Sequence, residues 1–244
     1  MSGLAYLAWI RLRRGGLPVV SLALIAAIVL GTVALPIARE LALSAASRAV
    51  FDIGGLLARG ALLGSALALG TSAVGPNVRA GRVDGWSAHG LSGPAFVVLR
   101  WAADGVGLGL LTAASLAALW LGSAALGTRA PASLPAFALA AFVEAVVLYG
   151  LASLCGCWLR GAAGPLTAVV WCLASILVSS GIDASGWAWW LRFIAPHAGG
   201  LDPHAVLLGA AVGPASVGAL LHAALWVGAC ALGSVGWLAF RDRR

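Results

Sequence analysis

Residues 134–157 read LPAFALAAFVEAVVLYGLASLCGC, and this stretch decides the fold. Apart from Glu144 it carries no charge. It also exceeds the roughly 20 apolar residues that an α-helix needs to cross the hydrocarbon layer of a bilayer. A helix that is apolar on every side is stable in lipid or deep inside a large protein. The stretch therefore predicts a transmembrane helix.

The rest of the chain has the same character. Of its 244 residues 61% are hydrophobic and only 9% are charged, and the mean hydropathy is +1.00, whereas about a quarter of the residues in soluble domains are charged. We expect an all-α membrane protein with six transmembrane helices in a single transmembrane domain covering residues 1–244. The predicted spans are about 17–38, 53–74, 105–126, 134–157, 166–182 and 217–240.

The arginines indicate how these spans are oriented. With six spans both termini lie on one side, and cytoplasmic loops of membrane proteins are enriched in basic residues. Cytoplasmic termini would place ten arginines inside and four outside. The inner set is Arg11, Arg13, Arg14, Arg79, Arg82, Arg100, Arg160, Arg241, Arg243 and Arg244; the outer set is Arg39, Arg48, Arg129 and Arg192. We therefore expect a multi-pass protein of the bacterial cytoplasmic (inner) membrane with both termini in the cytoplasm.

The net charge of +7 could indicate nucleic-acid binding in a soluble chain. Here the basic residues are all arginine and lie between apolar runs, where they contact anionic lipid headgroups. We expect membrane lipid as a partner and no nucleic acid. The four cysteines, Cys155, Cys157, Cys172 and Cys230, lack the spacing of a zinc or redox site, so no metal is expected.

Two charges fall inside the predicted spans, Arg59 in span two and Glu144 in span four. An uncompensated charge at the centre of a membrane helix costs several kcal/mol. We therefore expect Glu144 to be protonated, to face a wet cavity, or to pair with Arg59, its most evident mate. A structural pair and a role in a substrate path both stay open.

Nucleotide hydrolysis is not expected in this chain. A phosphate-binding loop ends in Lys followed by Ser or Thr, and the sequence contains no lysine. An enzyme-like alternative is a rhomboid-like intramembrane serine protease, because Gly90, Leu91, Ser92 and Gly93 match a GxSG motif and His222 lies in the last span. Ser92, however, follows only two predicted spans and precedes Pro94. A non-transporting membrane assembly factor is a third reading.

The longest polar segment on the predicted cytoplasmic side joins spans two and three, from Pro76 to Arg100. It retains the apolar positions Val83, Trp86 and Leu91, which would give a short helix one face for a partner. The link between spans four and five is short and holds only Arg160. The segment 76–100 is therefore the best candidate for a cytoplasmic contact.

This layout resembles the membrane (permease) subunit of type 2 ABC exporters. In that family the loop between spans two and three has charged residues, a glycine, a leucine-bearing stretch, a proline or small-residue turn and a basic residue entering span three. The matching residues here are Arg79, Arg82, Asp84, Gly85, Leu91, Ser92, Gly93, Pro94 and Arg100. The sequence departs from the pattern at Trp86, which replaces a small hydroxyl residue, and in having Leu91 alone instead of a leucine cluster.

Both ends of the chain extend this resemblance. Leu4, Leu7, Trp9 and Ile10 precede three arginines, like the family's N-terminal amphipathic elbow helix, and an outer re-entrant segment with Phe193, Ala195 and Pro196 precedes the last span. The resemblance implies a cytoplasmic ABC ATPase subunit and a second permease copy or paralogue as partners. ATP would be bound by the ATPase, with no cofactor in this chain. Residues of the 76–100 segment, including Arg79, Arg82, Asp84, Gly85, Trp86, Leu91 and Pro94, would couple the two proteins.

Cytoplasmic termini give a first testable expectation. A reporter enzyme that is active only outside the cytoplasm, fused after Arg244, should be silent, whereas the same reporter fused after Arg129 should be active. Activity measured in intact cells at both positions, or only after Arg244, would contradict the arginine-based orientation.

Overall fold

A computed structural model describes residues 43–81, 92–125, 131–161, 163–170, 202–209 and 214–241. These ranges contain helices and no strand. Four helices are long and apolar enough to cross a membrane, namely the first, third, fourth and sixth below. The helices are α1 (Leu43–Thr71), α2 (Gly75–Arg79), α3 (Gly93–Ala125), α4 (Leu134–Trp158), α5 (Pro203–Leu207) and α6 (Pro214–Arg241). Residues 163–170 are also helical.

Helix α4 lies at the centre of the bundle and contacts all five other helices. In its apolar stretch 67% of the residues are buried inside the protein, against 22% in that of α6. Small side chains make this possible, because Ala140, Ala145 and Ala152 are fully buried and let neighbouring helices approach closely. The stretch with the highest hydropathy in the described chain is thus its structural centre.

Helices α1 and α4 run in the same direction. Arg59 of α1 contacts Glu144 of α4, and further along α4 a Cβ atom on Gly156 would lie 2.9 Å from the carbonyl oxygen of Thr71, the last residue of α1. The start of α2 also touches α4 there, since a Cβ atom on Gly75 would collide with the carbonyl oxygen of Gly156. A Cβ atom on Gly70 would lie only 2.5 Å from the carbonyl oxygen of Tyr149. Glycine is therefore required where the two helices cross.

Helix α3 runs antiparallel to α1, whereas α6 runs parallel to α4. Arg100 near the start of α3 donates to the carbonyl oxygen of Ser72, just past the end of α1. On α6, Cys230 lies beside Gly150, and Arg241 at the helix end reaches Val78. We call the end of the bundle with Arg79, Arg100 and Arg241 the arginine end.

The ends of two helices agree closely with the sequence prediction, and one does not. Helix α4 ends one residue beyond the predicted span 134–157, and α6 contains the span 217–240. Helix α3 begins at Gly93, twelve residues before the predicted start of span three at residue 105. Arg100 and Asp104 lie inside the helix at i,i+4 spacing, 3.5 Å apart between Nε and Oδ2, so they partly offset each other's charge.

This early start also corrects the segment 76–100. Its last residues, including Pro94 and Arg100, belong to α3, and residues 76–79 belong to α2. Proline is well suited to the first turn of a helix, where its missing N–H has no intrahelical partner. The connection between α2 and α3 is therefore limited to residues 80–92.

Several predicted features lie outside the described residues. They are span one (17–38), the elbow helix (4–14), residues 82–91 of the connection, the re-entrant segment around 187–200, and most of span five, of which 166–170 are helical.

The glycine crossing generates a stability prediction. Gly75→Ala should lower the apparent melting temperature of the purified protein, because overpacking typically costs about 1–3 kcal/mol. Gly60→Ala is the matched control, since a Cβ atom at Gly60 meets nothing within 4 Å. Thermal unfolding followed by size-exclusion chromatography measures both variants. Equal midpoints for Gly75→Ala and Gly60→Ala would contradict the close contact between Gly75 at the start of α2 and Gly156 of α4.

Candidate functional site

The two charged residues inside the predicted spans form an ion pair. Arg59 donates from Nε to Glu144 Oε2 at 2.8 Å and from Nη2 to Glu144 Oε1 at 2.7 Å. Both carboxylate oxygens thus accept from one edge of the planar guanidinium. This is the bidentate geometry in which arginine and carboxylate bind each other most strongly. Of the three expectations for Glu144, the structure shows pairing with Arg59.

A second carboxylate completes the cluster. Arg59 Nη1 donates to Asp202 Oδ1 at 3.0 Å, so one guanidinium joins α1, α4 and the residue that precedes α5. Asp202 was not among the residues singled out from the sequence. We call Arg59, Glu144 and Asp202 the Arg59 cluster.

Helix α5 is held in place by two contacts besides Asp202. Ser133, just before α4, donates from Oγ to the carbonyl oxygen of Leu207 at 3.0 Å. The Leu207 side chain lies so close to α1 that a Cβ atom on Gly55 would be 2.5 Å from it. Pro203, Val206 and Leu207 are buried. The short helix therefore lies across the ends of α1 and α4 that are remote from the arginine end.

The side chains of the Arg59 cluster are only partly buried. The side chains of Arg59 and Glu144 are 24% and 21% exposed, and that of Asp202 is 51% exposed. One guanidinium faces two carboxylates, so the ionised cluster carries one net negative charge. Its groups can exchange partners with a charged solute, but among the described residues no group of His, Cys, Asp and Glu could hold a metal ion.

A second polar contact lies deeper in the bundle and was missed in the sequence. Asp104 is 2% exposed and accepts a hydrogen bond of 2.9 Å from the hydroxyl of Tyr149. The Trp101 ring meets the Tyr149 ring edge-on, with centroids 5.2 Å apart. The i,i+4 spacing of Arg100 and Asp104 was the available signal, but it requires a helix that begins before residue 105.

Arg79 has a structural role in the described chain. Its guanidinium donates to the carbonyl oxygens of Gly156 and Cys157 at 3.1 and 3.3 Å, with that of Leu159 at 3.5 Å. These carbonyls end α4 and carry the negative end of its dipole, which a cation stabilises. Arg241 similarly donates to the carbonyl oxygen of Val78 at 2.9 Å. Arg79 and Arg241 together fasten α2 to the ends of α4 and α6.

Of the other predicted coupling residues, the structure describes only Pro94. Pro94 lies in the first turn of α3 and not in a loop. The remaining ones, Arg82, Asp84, Gly85, Trp86 and Leu91, lie outside the described residues. The structure therefore brings Arg59 together with Glu144 and places Arg79 at the end of α4, while the coupling role of the segment stays a prediction.

The geometry does not favour the serine protease reading. Ser92 Oγ accepts from the backbone N–H of Ala95 at 3.4 Å, as a residue capping α3. Trp101 and Cys230 both lie beside Gly150. Ser92 lies nine residues from Trp101 toward the arginine end, and His222 lies eight residues from Cys230 toward the opposite end. At roughly 1.5 Å per residue they are more than about 20 Å apart along the bundle, too far for a catalytic dyad.

Comparison with protein-family models, with curated proteins and with solved structures finds no match to this chain. The functional reading therefore depends on the sequence pattern and on the geometry of the described helices.

The two carboxylates of the Arg59 cluster should differ in their effect on stability. Glu144→Gln removes a charge from a bidentate, mostly shielded pair and should destabilise the protein by roughly 2–3 kcal/mol. Asp202→Asn is the matched control and should cost less than about 1 kcal/mol, because that carboxylate is half exposed. Unfolding by denaturant in mixed micelles compares the two. A larger loss for Asp202→Asn would show that Glu144 is not the principal partner of Arg59.

Proposed function

We propose that this chain is the membrane-spanning permease subunit of an ATP-driven ABC exporter, forming the translocation path and coupling to a separate cytoplasmic ATPase. The observation that carries the proposal is the Arg59 cluster, a partly exposed set of three charges that joins α1, α4 and the residue before α5. Charged residues within membrane helices mark substrate or ion pathways, so such a residue indicates a functional site.

Packing alone does not require such a cluster. Replacing a buried ion pair by apolar side chains of similar size is often neutral or stabilising, so two membrane helices can associate without one. The side chains of the cluster are also 21–51% exposed, so a charged solute has access to them. This access favours a permease over a membrane assembly factor.

The course of the chain agrees with six spans. Gly161 follows α4 at the arginine end, whereas Asp202 and α5 lie at the opposite end, beside Ser133. The predicted span 166–182 would join these two ends. In this proposal span one completes six crossings, with both termini in the cytoplasm. A second permease copy or paralogue would complete the path.

The free energy of ATP hydrolysis would be transmitted to the membrane helices at the arginine end. The sequence has no lysine and hence no phosphate-binding loop, so ATP must be bound and hydrolysed by a partner. The connection 80–92 follows directly on α2, which Arg79 fastens to α4 and Arg241 fastens to α6. A partner that moves this connection would pull on the ends of two membrane helices. The coupling residues in this proposal are Arg79, Arg82, Asp84, Gly85, Trp86, Leu91 and Pro94.

The proposal is tested by copurification. Leu91→Asp and Trp86→Asp each place a carboxylate at the expected contact, which should weaken ATPase association by at least about tenfold. Thr128→Asp, in the predicted outer segment, is the matched control and should leave association unchanged. ATPase recovered with each affinity-tagged variant, and ATP hydrolysis in lipid, are the measurements.

Three results would contradict it. One is that no ATPase copurifies with the wild-type chain. The others are that Leu91→Asp and Trp86→Asp both retain full ATPase recovery, or that Thr128→Asp loses as much as they do.

A further inference from the structure

A cavity of about 640 Å³ opens at the arginine end, between α2 and the end of α4. Pro76 and Arg79 line it on one side, and Gly156, Leu159 and Gly161 line it on the other. The glycines contribute only backbone, which leaves room beside the guanidinium. None of the residues that line the cavity is acidic.

The charges around this cavity are positive. Arg79 has five N–H donors, and its three carbonyl contacts do not use them all. Arg160 is exposed and lies between Leu159 and Gly161, which line the cavity, although it is not itself a lining residue. Its side chain makes no hydrogen bond or ion pair with the described residues. Gly164, which also lines the cavity, lies in the first turn of the helical residues 163–170, whose N–H groups and positive dipole end favour an anion.

Three exposed apolar side chains are close in sequence to residues that line the cavity. Trp158 at the end of α4 is 64% exposed, and Leu166 and Val170 are 62% and 63% exposed. Leu166 and Val170 are four residues apart in a helix and so share one face. A ligand that fits both surfaces has an anionic head and a hydrocarbon tail.

We infer that this cavity binds the phosphate headgroup of an anionic phospholipid, with Arg79 and Arg160 contacting the phosphate and the acyl chains lying along Trp158, Leu166 and Val170. A phosphate offers oxygens to arginine in the geometry that a guanidinium matches best. Basic pockets between membrane helices on the cytoplasmic side are known to take anionic headgroups, and indole prefers the headgroup layer. The inference does not depend on the proposed transport function.

The site is tested by native mass spectrometry of the purified full chain titrated with equimolar phosphatidylglycerol and phosphatidylcholine. The wild-type chain should retain phosphatidylglycerol over phosphatidylcholine by about tenfold or more. Arg79→Gln and Arg160→Gln should each lower this preference by about fivefold, the effect of one basic residue at a charged membrane surface.

Two further variants distinguish the effect of the Arg79 charge on lipid binding from its contact with the carbonyl groups that end α4. Arg79→Lys keeps the charge but loses the forked geometry of the guanidinium, so it should retain more of the lipid preference than Arg79→Gln does. Arg48→Gln removes the same charge from the opposite end of the bundle, in α1, and should leave the preference unchanged. If Arg79→Gln cannot be purified, Arg160→Gln still tests the site, because that side chain is exposed and makes no hydrogen bond or ion pair with the described residues.

The inference is overturned if Arg79→Gln and Arg160→Gln bind phosphatidylglycerol like the wild type, or if Arg48→Gln weakens it equally. It is also overturned if glycerol 3-phosphate displaces the lipid at equal concentration, since the site would then take a small phosphate ester and the apolar surface would contribute nothing.

Discussion

The pairing of Arg59 with Glu144 is the interaction on which the rest of the structure depends. Within a membrane no water is available to solvate an isolated charge, so each charge must be satisfied by the protein. The bidentate contact satisfies both residues and fixes how α1 and α4 face each other. Since α4 is the central helix, this also sets the frame against which α3, α5 and α6 pack.

The same constraint governs the arginine end. The carbonyl groups that end an α-helix have no partner within it. Arg79 supplies donors for those of α4, and Asn77 donates from Nδ2 to the carbonyl oxygens of Ser72 and Ala73 at the end of α1. The glycine crossing at Gly75 and Gly156 brings these groups within reach. Long polar side chains thus replace the water that the helix ends would otherwise bind.

The sequence was sufficient for features that depend on composition or on the cost of a single charge. A run with one internal charge locates α4 within a residue, and the cost of a charge in a membrane makes Arg59 the most evident mate of Glu144, which the structure shows to be its partner. The sequence was insufficient where the position of a residue depends on a contact between distant parts of the chain. Asp202 joins Arg59 only because α5 lies across the bundle, and no local pattern indicates that placement. The same holds for α3, whose Arg100 and Asp104 are tolerated because Tyr149 of α4 donates to the carboxylate.

A double-mutant cycle on Arg59 and Glu144 tests the central claim most directly. Unfolding free energies in mixed micelles would be measured for the wild type, Arg59→Met, Glu144→Met and the double variant. If the pair joins α1 to α4, each single variant leaves one charge without its partner, and the double variant should be at least as stable as either, with a coupling energy of about 1–3 kcal/mol. Additive losses, with no coupling between the two substitutions, would contradict the account.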